Sequence, residues 1–174
     1  KVLEANAHLC VVFEFPEKID AARAQLVEMQ ALVDRMRVVW EVTDDIACFV
    51  TDAKALLWRD LEVEDLEDGS KAQTKKMNAL HKSVKWCDAF KNASKTLKYF
   101  INTIPLISML RSKAMRPRHW LKLKDATGKD FVPPYEDEDM QLGGLLSLNL
   151  HEFNESVEEI CDMATKEEKI ETNL

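Results

Sequence analysis

One repeat constrains this chain more than anything else in it. From Ile19, the apolar residues Ala22, Leu26, Met29, Val33, Met36 and Trp40 follow at alternating steps of three and four. That is the spacing of a narrow, heptad-like stripe along one face of an α-helix. Pro16 marks the start of this helix, with Glu17 and Asp20 in a first turn where negative charge is favoured. A second stripe, Ile46, Phe49, Ala53, Leu57 and Leu61, is shifted after Thr43–Asp45. The shift predicts either one long helix with a stutter or two helices with a tight break.

The acidic stretch "EVEDLEDGSK" ends in Gly-Ser and reads as a turn between helices. The next helix is expected from about Lys71 to Ile104, with Met77, Leu80, Val84, Cys87, Phe90, Leu97 and Phe100 on one side. Pro105 is expected to interrupt it, because proline lacks an N–H and disfavours helical geometry in the residue before it. A short apolar helix, "LISMLRSKAM", then precedes Pro117, which is well placed as the first residue of another helix. That helix stops at Gly128. "FVPPYEDEDM" is the clearest non-helical segment, and a last helix carries Phe153, Val157, Ile160, Ala164 and Ile170.

The resulting expectation is an all-α, elongated bundle of long antiparallel helices with an irregular insert near residues 128–145. Residues 17–104 form a long helical hairpin in this reading, and residues 105–174 form shorter helices. Composition agrees: 46% hydrophobic and 32% charged residues with only 4 Gly and 5 Pro suit neither disorder nor a many-stranded sandwich. The start lacks an initiator Met and the end stops inside a helical pattern with no Gly or Pro to close it, so the chain reads as one piece of a longer polypeptide.

Candidate chemistry is sparse. The glycines Gly69, Gly128, Gly143 and Gly144 match neither dinucleotide nor P-loop patterns, so no phosphate cradle is expected. His8, His81, His119 and His151 are scattered and lack metal-ligand spacing. No Gly-x-Ser-x-Gly elbow exists. The acidic run Glu136–Asp139 lacks the alternating oxygens and central glycine of a calcium loop. Cys10, Cys48, Cys87 and Cys161 are far apart and read as reduced core thiols of a cytosolic-type compartment.

The formal charge of −7 supplies no basic field for nucleic acid or acidic membranes, and no apolar run approaches a membrane span. The local basic strip Arg111, Lys113, Arg116, Arg118, Lys122, Lys124 reads as a helix surface facing acidic neighbours. Trp40, Trp58, Trp86 and Trp120 lie on or beside apolar stripes, where a large aromatic usually belongs to the core. Trp120 and Leu123 fall on one face after Pro117, placing Trp120 where its helix meets the helix ending at Pro105.

The stretch "NTIPLISMLRSKAMRPRHWLKL" resembles the dynein heavy chain family where its tail passes into the linker. The likeness rests on Leu110, Arg111, Met115, Arg116, Arg118, His119 and Trp120. It extends to the paired tryptophans Trp40 and Trp58 of "VVWEV…LLWRDLEVEDLE", and to "LGGLLSLNLHEFNESVEEICDMATKEEKIETNL". The form "MRPRHW…ATGKDF" is closer to axonemal than to cytoplasmic heavy chains. The acidic "PPYEDED" insert departs from the family pattern.

The resemblance implies a minus-end-directed microtubule motor as parent, whose ATP and Mg sites lie in a AAA+ ring beyond this segment. The segment itself would be non-catalytic, with no cofactor or metal, transmitting linker movement to the tail. Arg118 and His119 would brace the structure, Trp120 would anchor it, and Trp40, Trp58 and Pro117 would complete the set of structural anchors. Implied partners are the rest of the heavy chain with its ring, intermediate and light chains, neighbouring heavy chains, and microtubules through the parent. Nucleic acid and membrane are not among them. The implied location is cytoplasm and cytoskeleton, in the axoneme of a cilium or flagellum. The competing reading is a spectrin-like helical scaffold that only binds protein partners.

Overall fold

The computed structural model describes residues 2–12, 16–137 and 139–172. The side chains of His8, Cys10, Glu17 and His151, and Glu138 of the acidic run, lie outside the described residues. The chain order is α1 (Val2–Val12), α2 (Pro16–Ala55), α3 (Val63–Ala79), α4 (Asp88–Leu110), α5 (Pro117–Thr127), α6 (Leu142–Leu146) and α7 (Asn154–Thr172). Single 3-10 turns fall at Trp58–Asp60, Lys82–Val84 and Leu150–Glu152. Among the described residues there is no β-strand. The architecture is an all-α bundle.

α2 is a single helix of 40 residues, about 60 Å long at 1.5 Å per residue. No Gly or Pro occurs within it after Pro16. The hydroxyls of Thr43 and Thr51 donate to the carbonyls of Val39 and Ala47 at 2.8 and 2.7 Å, so neither threonine competes for a backbone partner elsewhere. The shift at Thr43–Asp45 therefore changes which face is buried and leaves the helix intact. Beyond it, Ile46, Val50 and Ala53 are buried.

Three expectations about helix ends are corrected. Gly69 and Ser70 make no turn; they lie inside α3. A Cβ at Gly69 would stand 2.9 Å from Cζ of Phe49 and closer still to its ring edge. The missing side chain thus admits the aromatic ring from α2, and tertiary contact outweighs glycine's poor helix propensity.

The helix expected from Lys71 to Ile104 is instead broken at Leu80–Cys87. There His81 Nδ1 accepts from Ser83 N–H at 3.1 Å, a local bond that competes with helical pairing. Leu80, Val84 and Cys87 fold onto Val39 and Met36 of α2 as a small separate core. Pro105, expected to end a helix, lies within α4 on an exposed face. Proline withholds the bond that the Ile101 carbonyl would receive. Burial of Phe100, Ile104, Leu106, Ile107 and Leu110 on either side holds the helix together.

Two larger cores share α4. The first joins α2, α3 and α4 through Ile46, Leu61, Leu66, Leu97, Phe100 and Ile107. The second joins the end of α4 to α5, α6 and α7 through Leu110, Trp120, Leu123, Leu145, Val157 and Ile160. Trp58 packs against both. The insert after α5 folds back on the end of α2: Trp58 N–H donates to the Met140 carbonyl at 2.8 Å, and Leu142 N–H donates to the Leu56 carbonyl at 2.9 Å. These bonds form an isolated antiparallel bridge between Leu57 and Gln141. Gly143 permits it, because a Cβ there would meet the Lys54 carbonyl at 3.0 Å.

Two tryptophan placements are also corrected. Trp40 is 61% exposed and Trp86 is 65% exposed, so neither lies in the core expected for them. Trp40 lies on the expected stripe, but the helices that cover α2 beyond Val39 leave this position bare. Trp86 sits at the α3–α4 corner. Cys48 is exposed, whereas Cys87 and Cys161 are buried, and burial, with Asp162 adding to it, pushes the Cys161 thiol up to about 11.

Candidate functional site

The opening of α5 carries the most connected polar centre among the described residues. Pro117 occupies the first helical turn with Arg116 as N-cap, and Gly128 closes the helix in the left-handed conformation at φ 61°. Both ends fall where the sequence placed them. His119 is then the third helical residue, and its ring reaches back so that Nδ1 accepts from Arg116 N–H at 3.0 Å. This is the side-chain half of a capping box. In return the Arg116 carbonyl accepts from His119 N–H at 2.9 Å.

His119 is fully buried. Since Nδ1 accepts, the geometry assigns the ring proton to Nε2, which donates to Glu167 Oε2 of α7 at 2.9 Å. Arg118 Nε donates to the same oxygen at 2.7 Å, and its Nη2 contacts both Glu167 and Glu171. Arg116 Nη2 donates to the other oxygen of Glu171 at 3.2 Å.

Glu167 and Glu171 are one helical turn apart on α7, so they present two carboxylates to two guanidinium groups. The Arg118 hydrogen bond, with a smaller contribution from His119, holds the Glu167 carboxyl below the usual carboxylate range. Glu167, followed by Glu171, raises Arg118 in turn. Lys124 makes an ion pair with Asp130, which raises the lysine. Arg116, Arg118 and Lys124 of the basic strip face acidic neighbours, as its composition suggested. Lys122 Nζ instead lies 3.9 Å from Met163 Sδ, and Arg111 Nη1 is buried without a hydrogen-bond partner among the described residues.

Beneath these ties, Trp120 is buried with its ring edge-on to Trp58 at 6.1 Å and to Phe131 at 6.3 Å. Its cluster includes Leu106 and Leu110 of α4, the junction expected for it. The polar ties of Arg118 and His119 run elsewhere, to α7. Lys129 adds a further staple, donating to the Leu148 carbonyl at 2.7 Å.

The structure therefore brings Trp58, Pro117, Arg118, His119 and Trp120 together and leaves Trp40 apart. Sequence reasoning missed Glu167 and Glu171. Their signal was the acidic pair at helical spacing in "TKEEKIE", but such pairs are common and do not say which basic residues they meet. Among the described residues, no cluster of three or more His, Cys, Asp or Glu side chains is arranged to hold a metal ion. No described helix is long and apolar enough to cross a membrane.

What fold and centre define together is an all-α helical segment whose densest polar network locks one helix to another. The sequence comparisons give that class its family. A family model described as dynein heavy chain, N-terminal region 2, matches residues 26–174. The chain is 36% identical over 171 residues to the dynein alpha chain of the flagellar outer arm of Chlamydomonas reinhardtii, covering 98% of this chain and 4% of that one. Human dynein axonemal heavy chain 17 is 33% identical over 150 residues, which is 86% of this chain and 3% of the relative. The dynein beta chain of the flagellar outer arm of Chlamydomonas reinhardtii is 31% identical over 150 residues, again 86% and 3%. The chain belongs to the dynein heavy chain family and corresponds to its N-terminal region 2. It spans only about 4% of the length of such relatives.

Proposed function

We propose that this segment is the tail-to-linker stretch of an axonemal dynein heavy chain and carries ATP-driven linker movement into the tail. The observation that supports this most is the lock between α5 and α7: two arginines and a buried histidine on one helix, two carboxylates on the other, over a buried tryptophan. Elements that carry force must not slide past one another, and a multidentate charged lock over packed aromatics resists sliding. The ATP and Mg chemistry belongs to the parent's motor ring and the segment holds no cofactor of its own. Microtubules, intermediate and light chains and neighbouring heavy chains are partners of the whole motor, in a cilium or flagellum, where the names of the flagellar relatives place those proteins.

The test is made in the full-length heavy chain with Arg118→Gln and Glu167→Gln. Microtubule gliding should slow several-fold while basal ATPase stays at its original rate. A parallel fall in ATPase would replace the mechanical role with a regulatory one. Unchanged gliding would favour the spectrin-like scaffold. Saturable micromolar ATP binding that maps to residues 1–174 would overturn the assignment of nucleotide chemistry to the ring.

A further inference from the structure

The seam along the first half of α2 is only partly used. Taking Ile19 as position a of a heptad, positions a and d are Ile19, Ala22, Leu26, Met29, Val33, Met36 and Trp40. At its start Ile19 is buried, and α1 packs on α2. Towards its other end Met36 packs on the small core at the α3–α4 corner. Leu26, Met29, Val33 and Trp40 are nevertheless between 49% and 65% exposed. Bare a and d positions in register with covered ones are the unfilled part of one continuous helix-packing interface.

The edges of the seam differ in charge. Arg23, Gln30 and Arg37 occupy the e positions, and among the described residues each arginine has only a long contact to an aspartate of its own helix, at 3.8 and 3.9 Å. The g edge, Gln25, Leu32 and Val39, carries no charge. In a coiled coil such flanks choose the neighbour.

We propose that Leu26–Trp40 of α2 is the docking face for a further helix of the same heavy chain. The occupant is an amphipathic helix of about 15 residues, matching the roughly 22 Å that the seam spans at 1.5 Å per residue. It has an apolar heptad stripe and acidic residues along the edge that meets Arg23 and Arg37. A helix of the same polypeptide is assigned because the helices that already pack on α2, α1 among them, come from within the chain. The relatives are also long enough to supply many more, since this segment spans about 4% of their length.

Hydroxyl-radical footprinting of the full-length heavy chain tests the burial. Met29 and Trp40 should be oxidised several-fold more slowly in the native chain than in the urea-unfolded chain, with Met29 protected as strongly as the buried Met77. Native oxidation of Met29 and Trp40 at unfolded rates would overturn the docking face. A photo-crosslinker placed at Val33 then identifies the occupant. The expected product is an intramolecular link to a heptad-patterned, acid-edged segment. A link to an accessory chain or to a second heavy chain would overturn the assignment to the same polypeptide. Footprinting and crosslinking do not depend on gliding or ATPase, so this inference and the proposed function fail separately.

Discussion

At the scale of single residues, the four tryptophans divide sharply. Trp120 is 5% exposed and touches Trp58 and Phe131, whereas Trp86 is 65% exposed. Trp120→Ala leaves a cavity and is expected to cost about 3–5 kcal/mol. Trp86→Ala is expected to stay within about 0.5 kcal/mol of the parent. Thermal unfolding of the two variants side by side checks both values; equal shifts would contradict the packing described for Trp120. Trp120 was legible in the sequence because Pro117 fixes where its helix begins, and hence which face it occupies. Trp40 was not. Periodicity places a side chain on a face of its helix but carries no information about whether another element covers that face.

At the scale of elements, helix ends set by backbone chemistry were legible and those set by packing were not. Pro117 and Gly128 bracket α5 through fixed φ and a left-handed cap, which are local properties. Gly69 and Pro105 mislead because their neighbours in space, Phe49 and the flanking core of α4, override local preference. The Gly69 account makes a prediction against propensity. Alanine in a helix interior is normally favoured over glycine by about 1 kcal/mol. At position 69 the collision with Phe49, itself held 5.4 Å from Phe100, is expected to cost about 1–3 kcal/mol and reverse the sign. Urea unfolding should show Gly69→Ala less stable than the parent. Phe49→Leu in the same chain should restore part of alanine's normal advantage, and additive effects of the two changes would refute the contact.

At the scale of the whole molecule, the lock between α5 and α7 makes the C-terminal half acid-sensitive. Glu167 has a lower pKa folded than unfolded because Arg118, and to a lesser degree His119, favour its charged form. Its contribution is therefore complete above the ordinary carboxylate range and disappears as pH falls through the lowered folded value. Unfolding midpoints followed from neutral pH into acid should fall faster for the parent than for Glu167→Gln, with the two curves meeting at the acid end. Curves that stay parallel would remove Glu167 as the titrating group.

The two backbone bonds between Leu56–Trp58 and Met140–Leu142 have a different consequence at this scale. They connect the end of α2 directly to the start of α6 and so bypass α3, α4 and α5. Tension applied along the polypeptide from α2 to α7 has two parallel routes, this short circuit and the lock from α5 to α7. The intervening helices are then loaded side by side with those two bonds and the Trp58 packing beside them, and not in series along the covalent chain.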